Sequence, residues 1–154
     1  MTERLSSFLG SDLLRLVTDG ERLLDIKGEY SDYSFAVFPF AKAYEGFLKK
    51  LFLEIGAINK YQYESDHWRV GRALNPLLEK EIRHTESVYD RIVEICGGTE
   101  LAETLWQAWR RGRNQIFHFF PRRYKNLTLE DAKEIVREIL SAMEKALEEC
   151  KVST

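Results

Sequence analysis

Trp106-Gln-Ala-Trp-Arg-Arg-Gly-Arg-Asn-Gln-Ile-Phe-His-Phe-Phe-Pro-Arg-Arg123 is the stretch on which the reading of this chain turns. It reads as the later part of a helix and the turn that ends it. Thr99 is placed to cap that helix, since its hydroxyl can accept from an orphan amide. Glu100 and Glu103 put negative charge near its positive end. Pro121 ends the pattern, because the residue before a proline is pushed out of the α region. At roughly 100° per residue, Leu101, Leu105, Ala108, Gly112, Ile116 and Phe119 fall on one stripe, the face to be buried. Arg110, Asn114 and His118 fall on the opposite face, with Arg111 and Arg113 beside them. Trp106 and Phe117 lie on that outer side too.

A face meant for water has no need of two large aromatics. Aromatics among polar groups there suggest an interface or a binding surface. Between Thr104 and Leu129 the chain holds no acid, whereas Arg110, Arg111, Arg113, Arg122, Arg123 and Lys125 are cationic. Such a field draws phosphate. The alternative is a solvated helix end, whose cations suit the dipole in any case.

Arg113-Asn114-Gln115-Ile116-Phe117-His118 resembles the Arg-(polar)-x-x-x-His motif of HEPN domains. Ala43-Tyr44-Glu45-Gly46-Phe47-Leu48-Lys49-Lys50-Leu51-Phe52 is similar to the second helix of HEPN domains related to the RNase LS toxin. The resemblance implies an all-α fold, an up-and-down bundle of about four to five helices with no sheet. It also implies a homodimeric, metal-independent ribonuclease without a cofactor, of the kind found among toxins. A neutralising antitoxin or a nucleotidyltransferase is the implied protein partner. RNA is the implied substrate.

The residue types fit that chemistry. An imidazole changes charge near neutrality, so His118 can take a proton from a 2′-hydroxyl. Arg113 can fork donors onto phosphate oxygens and hold the charge that builds during attack. Asn114 can orient the ring or the substrate. Arg110, Arg111, Arg122, Arg123 and Lys125 are candidates for holding the RNA backbone. Glu45 either orients an arginine of the motif or is an ordinary exposed carboxylate. On an ideal helix, residues five apart point about 140° away from each other. Arg113 of one copy facing His118 of a second would close that gap, with Trp106 and Phe117 as dimer contacts. A non-catalytic module that binds a nucleotide, an RNA or a protein partner on the same face is the competing reading.

At 154 residues with a net charge of −2, the chain reads as one domain without bulk nucleic-acid affinity. Cys96 and Cys150 lie far apart and match no metal or disulfide framework. Reduced thiols and a cytoplasmic setting are therefore expected. The first residues lack a signal-peptide apolar run. No segment reaches the roughly 18 apolar residues of a membrane span, and no carboxylate cluster is placed for Mg²⁺.

The rest of the chain reads as helices. The first ten residues look weakly specified. Ser11 or Asp12 caps a helix to about Lys27, with a bend possible at Gly20. A very apolar helix ends at Gly56. Pro39 stands in its first turn or kinks it, and Gly46 inside it suggests close approach of another helix. Asn59 to Asp66 reads as a loop. Tyr61, Tyr63 and Trp68 there either lid the core or stack on bases. His67 and His84 have no partner at metal-ligand spacing. Pro76 restarts a helix that reaches Cys96 and breaks near His84 to Ser87. Thr128 and Asp131 form a capping box for a last helix ending about Cys150.

Overall fold

Helix α2 (Ser34–Glu54) is the element the others pack around. The computed structural model describes residues 1–96, 98–119, 121–122 and 126–152. Among them the chain is all-α, without strands. Phe40, Tyr44, Phe47, Leu48, Leu51 and Phe52 recur at helical spacing on α2 and are fully buried. The order continues with α1 (Glu3–Leu24) before α2, then the short helices α3 (Lys60–Glu64), α4 (Val70–Ala73), α5 (Lys80–Glu86) and α6 (Val88–Ile95). Next come α7 (Thr99–Trp109), which runs into a π-helical turn Arg110–Asn114, and α8 (Leu129–Glu149). Helices α1 and α8 pack on α2 and on each other, and α7 lies on α8.

Several expectations need correction. The first ten residues belong to α1: Thr2 caps it, accepting from the Leu5 amide at 3.2 Å. Leu5, Phe8 and Leu9 are buried, which holds the segment down. The helix breaks at Gly10, where φ is +71°, and not at Gly20. Gly20 instead lies flush against the Phe40 ring. Asn59–Gln62 is a complete capping box that starts α3, in place of the expected loop. Tyr61 stands 82% exposed and so lids nothing, whereas Trp68 meets Phe52 edge to face. Asn75 accepts from the Leu77 amide in a tight turn, so the next helix begins at Lys80, not at Pro76. Gly98 precedes α7 with φ +147°, and Thr99 is the first helical residue rather than the cap.

Other expectations hold. A Cβ on Gly46 would stand 2.5 Å from a Leu13 methyl, so α1 and α2 do approach closely there. Gly56 with φ +70° ends α2. Pro39, by contrast, lies past the first turn of that helix, which starts at Ser34. Ser87 separates α5 from α6 and caps the latter. Thr128 and Asp131 form the capping box of α8. His67 and His84 are exposed.

The thiols are not reduced. Cys96, at the end of α6, is disulfide-bonded to Cys150, the C-cap of α8, with Cα atoms 4.5 Å apart. Sequence spacing concealed this, because α6 packs on α7 and α7 on α8, which brings the pair together. The step from free thiols to a cytoplasmic setting lapses with it. No described helix is long and apolar enough to cross a membrane.

Candidate functional site

The motif segment is not one regular helix. Leu101, Leu105, Ala108 and Gly112 are buried along the expected stripe, but Ile116 is only half-buried and Phe119 is 69% exposed. The stripe fails after Gly112 because α geometry fails there. The Gln115 amide donates to the Arg110 carbonyl at 3.0 Å, an i to i−5 bond, and the chain then leaves the helix in a turn. Such π turns insert one residue and rotate the side chains beyond it. The turn is pinned from below. A Cβ on Gly112 would stand 2.7 Å from Ile139 Cδ1, so α7 and α8 meet closely at this point.

Leaving the helix has a direct consequence for the motif. Arg113 and His118 line the same cleft of one chain, about 460 Å³, with Phe38, Ala41, Lys42, Glu45 and Phe117. The 140° separation assumed an unbroken α-helix, so a second copy is not required to bring the two side chains into one site. That volume lies within the usual range for small-ligand sites.

Arg113 is held on two sides. Its Nη1 donates to Glu45 Oε2 on α2, and its guanidinium lies 4.8 Å from the Trp109 ring centroid. The Trp109 ring in turn rests against Tyr44. The Tyr44 hydroxyl donates to the Leu105 carbonyl at 2.9 Å, tying α2 to α7. Burial pushes this phenol well above its ordinary pKa, so it stays a donor. Of the two readings of Glu45, partner of a motif arginine is therefore the one the structure has. The Arg113 and Glu45 side chains remain 41% and 29% exposed, so the pair positions more than it stabilises.

Cleft residues from α2 share one face. Phe38, Ala41, Lys42 and Glu45 follow i, i+3, i+4, i+7 spacing. Phe38 and Lys42 were missed as site residues. Nothing in the apolar pattern of α2 marks Phe38, because its exposure, like that of Lys42 one turn on, is set by which neighbours fail to cover it. Lys42 has no acidic partner among the described residues.

The remaining candidates lie elsewhere. Arg111 turns to α8, pairing with Glu138 and, at 3.6 Å, with Glu134. Arg110 and Arg122 are exposed and Asn114 is half-buried, all outside the cleft wall. Trp106 is half-buried against the core, and Phe117 meets Phe38 edge to face. Arg123 and Lys125 lie outside the described residues. Leu127, shortly after them in the chain, accepts from the Tyr33 amide and donates to Asp32.

A larger depression of about 740 Å³ lies between α7 and α8. Glu100, Glu103 and Glu138 face a single Arg137 there, the wrong sign for a phosphate ligand. Among the described residues, no group of His, Cys, Asp and Glu is arranged to hold a metal. The chain matches no family model, no curated protein and no solved structure.

Proposed function

We propose that this chain is a metal-independent endoribonuclease of the HEPN type, belonging to the toxin or defence class. The observation that supports this most is the shared cleft of Arg113 and His118, with Lys42 adding a cation. His118 takes the proton of a 2′-hydroxyl. The 2′-oxygen attacks the adjacent phosphorus, and the bond to the 5′-oxygen breaks. That oxygen leaves with a proton returned by the imidazolium or by water. The products are a 2′,3′-cyclic phosphate and a 5′-hydroxyl. Arg113, kept in place by Glu45 and Trp109, holds the equatorial oxygens as charge builds.

A homodimer with RNA lying between two such clefts belongs to the same reading, with Trp106 and Phe117 near the contact. Sedimentation as a monomer at micromolar concentration removes that part alone. The nuclease is tested with labelled RNA in EDTA. Wild type should leave cyclic-phosphate ends, an RNA with 2′-deoxy residues should resist, and His118→Ala should be inactive. Wild-type cleavage by His118→Ala ends the mechanism. One observation favours a second reading, a binding module that docks RNA or a protein partner: the Glu45 carboxylate already occupies Arg113. Binding of RNA without cleavage by wild type would select it.

A further inference from the structure

Phe38 is 55% exposed, although it stands on the most buried helix of the chain. The core does not need its ring. It lines the cleft beside Phe117, with ring centroids 5.6 Å apart and planes at 69°. Crossed rings cannot cover each other as a stacked pair, so aromatic surface is left open to the cleft. Lys42 stands one turn along α2, and Arg113 enters opposite Glu45 a turn further on. The wall thus runs from apolar and aromatic at one end to cationic at the other over about 10 Å, two helical turns. A nucleotide has the same polarity, a flat base at one end and an anion at the other.

Resting on the nuclease reading of this cleft, we propose that it takes an unpaired nucleotide, with Phe38 as the platform for the base and Lys42 as a second cation for the phosphate. A base inside a duplex has both faces covered, and only an unstacked base can use an aromatic platform. The substrate class is therefore single-stranded RNA, or a loop or bulge within a folded one. Aromatic stacking is tolerant of base identity, so this platform selects for strandedness and not for sequence.

The test uses a short, fluorescein-labelled, fully 2′-O-methylated oligoribonucleotide, which cannot be cut, either single-stranded or annealed to its complement. Fluorescence anisotropy should show the single strand binding at least about tenfold more tightly than the duplex. Phe38→Ala should weaken single-strand binding roughly five- to hundredfold. Phe38→Trp should restore it, with both variants melting near wild type. Lys42→Ala should reduce the slope of log affinity against log salt by about one, and Phe38→Ala should leave that slope unchanged. Equal binding of duplex and single strand, or of Phe38→Ala and wild type, overturns the proposal. Phe38-dependent binding with no cleavage of unmodified RNA leaves the platform standing and removes the nuclease. Cleavage indifferent to Phe38 does the reverse. No binding of any oligonucleotide removes both.

Discussion

The two halves of the motif segment are built for different tasks. From Thr99 to Trp109 the helix is regular and clamped: Leu101, Ala102, Leu105 and Trp109 are buried, Glu100 pairs with Lys145, and the disulfide lies just ahead of its start. From Arg110 onward the winding loosens, and Gly112 is the one residue buried between Arg110 and Phe119. Stability is concentrated in the first half and the candidate chemistry in the second. Two arginines of the second half, Arg111 and Arg113, carry the same lesson. Arg111 is neutralised by two carboxylates on α8, whereas Arg113 meets one carboxylate and an indole face inside a cleft. Their positive charge is identical in the sequence, and what each faces is not.

The sharpest way to break this division is in the second half. Arg113→Ala and His118→Ala should each lower RNA cleavage by about 10²- to 10⁴-fold, with thermal midpoints close to wild type. Arg111→Ala should leave cleavage within about threefold and cost on the order of 0–1 kcal/mol, as an open surface pair. Equal losses from Arg111→Ala and Arg113→Ala would erase the distinction drawn between them.

Next comes the clamp on the first half. The disulfide closes a loop across 54 positions, so Cys150→Ser should lower unfolding free energy by about 4 kcal/mol. Cleavage at 25 °C should persist, because α7 places the cleft about 16 Å from that end. Chemical denaturation with and without reductant measures the first quantity, and an RNA assay on the same samples measures the second.

A third variant tests the joint between the halves. The Trp109 indole nitrogen is buried without a hydrogen-bond partner among the described residues, and a Cβ on Gly71 would stand 2.5 Å from it. Gly71→Ala pushes on a rigid ring and should cost roughly 1–3 kcal/mol. It should also lower cleavage, since the displaced ring supports Arg113. Lost stability with full activity would show that the indole does not position the guanidinium.

The smallest effect concerns pH. Asp90 is held below its ordinary carboxylate pKa chiefly by hydrogen bonds from Arg83. For Asp32, burial raises the value, but hydrogen bonds from Ser34 and the Leu127 amide outweigh it and leave the value lowered. A carboxylate with a depressed folded pKa stabilises fully above its unfolded value and loses that contribution as pH falls through the folded one. Thermal midpoints should therefore fall as pH drops below about 3.8, the ordinary value for both groups. Asp90→Asn should blunt that fall. An unchanged profile in Asp90→Asn would mean the Arg83 pair contributes nothing measurable.

Much of the fold was legible because periodicity and caps are local. The apolar run of α2, the Thr128–Asp131 box of α8 and the Ser87 break between α5 and α6 each arise from residues a few positions apart. The first ten residues were misread for the opposite reason: Leu5, Phe8 and Leu9 look sparse alone and are fixed by distant partners. Arg4, for instance, donates to the carbonyls of Leu147 and Val152. Within the site, Arg113, His118 and Glu45 could be named from the sequence, but Phe38 could not. Its exposure on a nearly all-apolar helix depends on which neighbours fail to cover it.

The chain's own pattern of apolar and polar residues was enough to determine an all-helical protein with a basic, aromatic segment near its C-terminal third. Local hydrogen bonding and side-chain spacing act over a turn or two, and they specify that much. Tertiary structure decided the rest. Close packing of Gly112 on Ile139 accompanies the π turn that ends the helix early, and that ending puts an imidazole and a guanidinium five residues apart into one cleft. Contact between the ends of α6 and α8 joined two cysteines that spacing alone kept separate. Both outcomes depend on which surfaces meet, and no window of sequence contains that information.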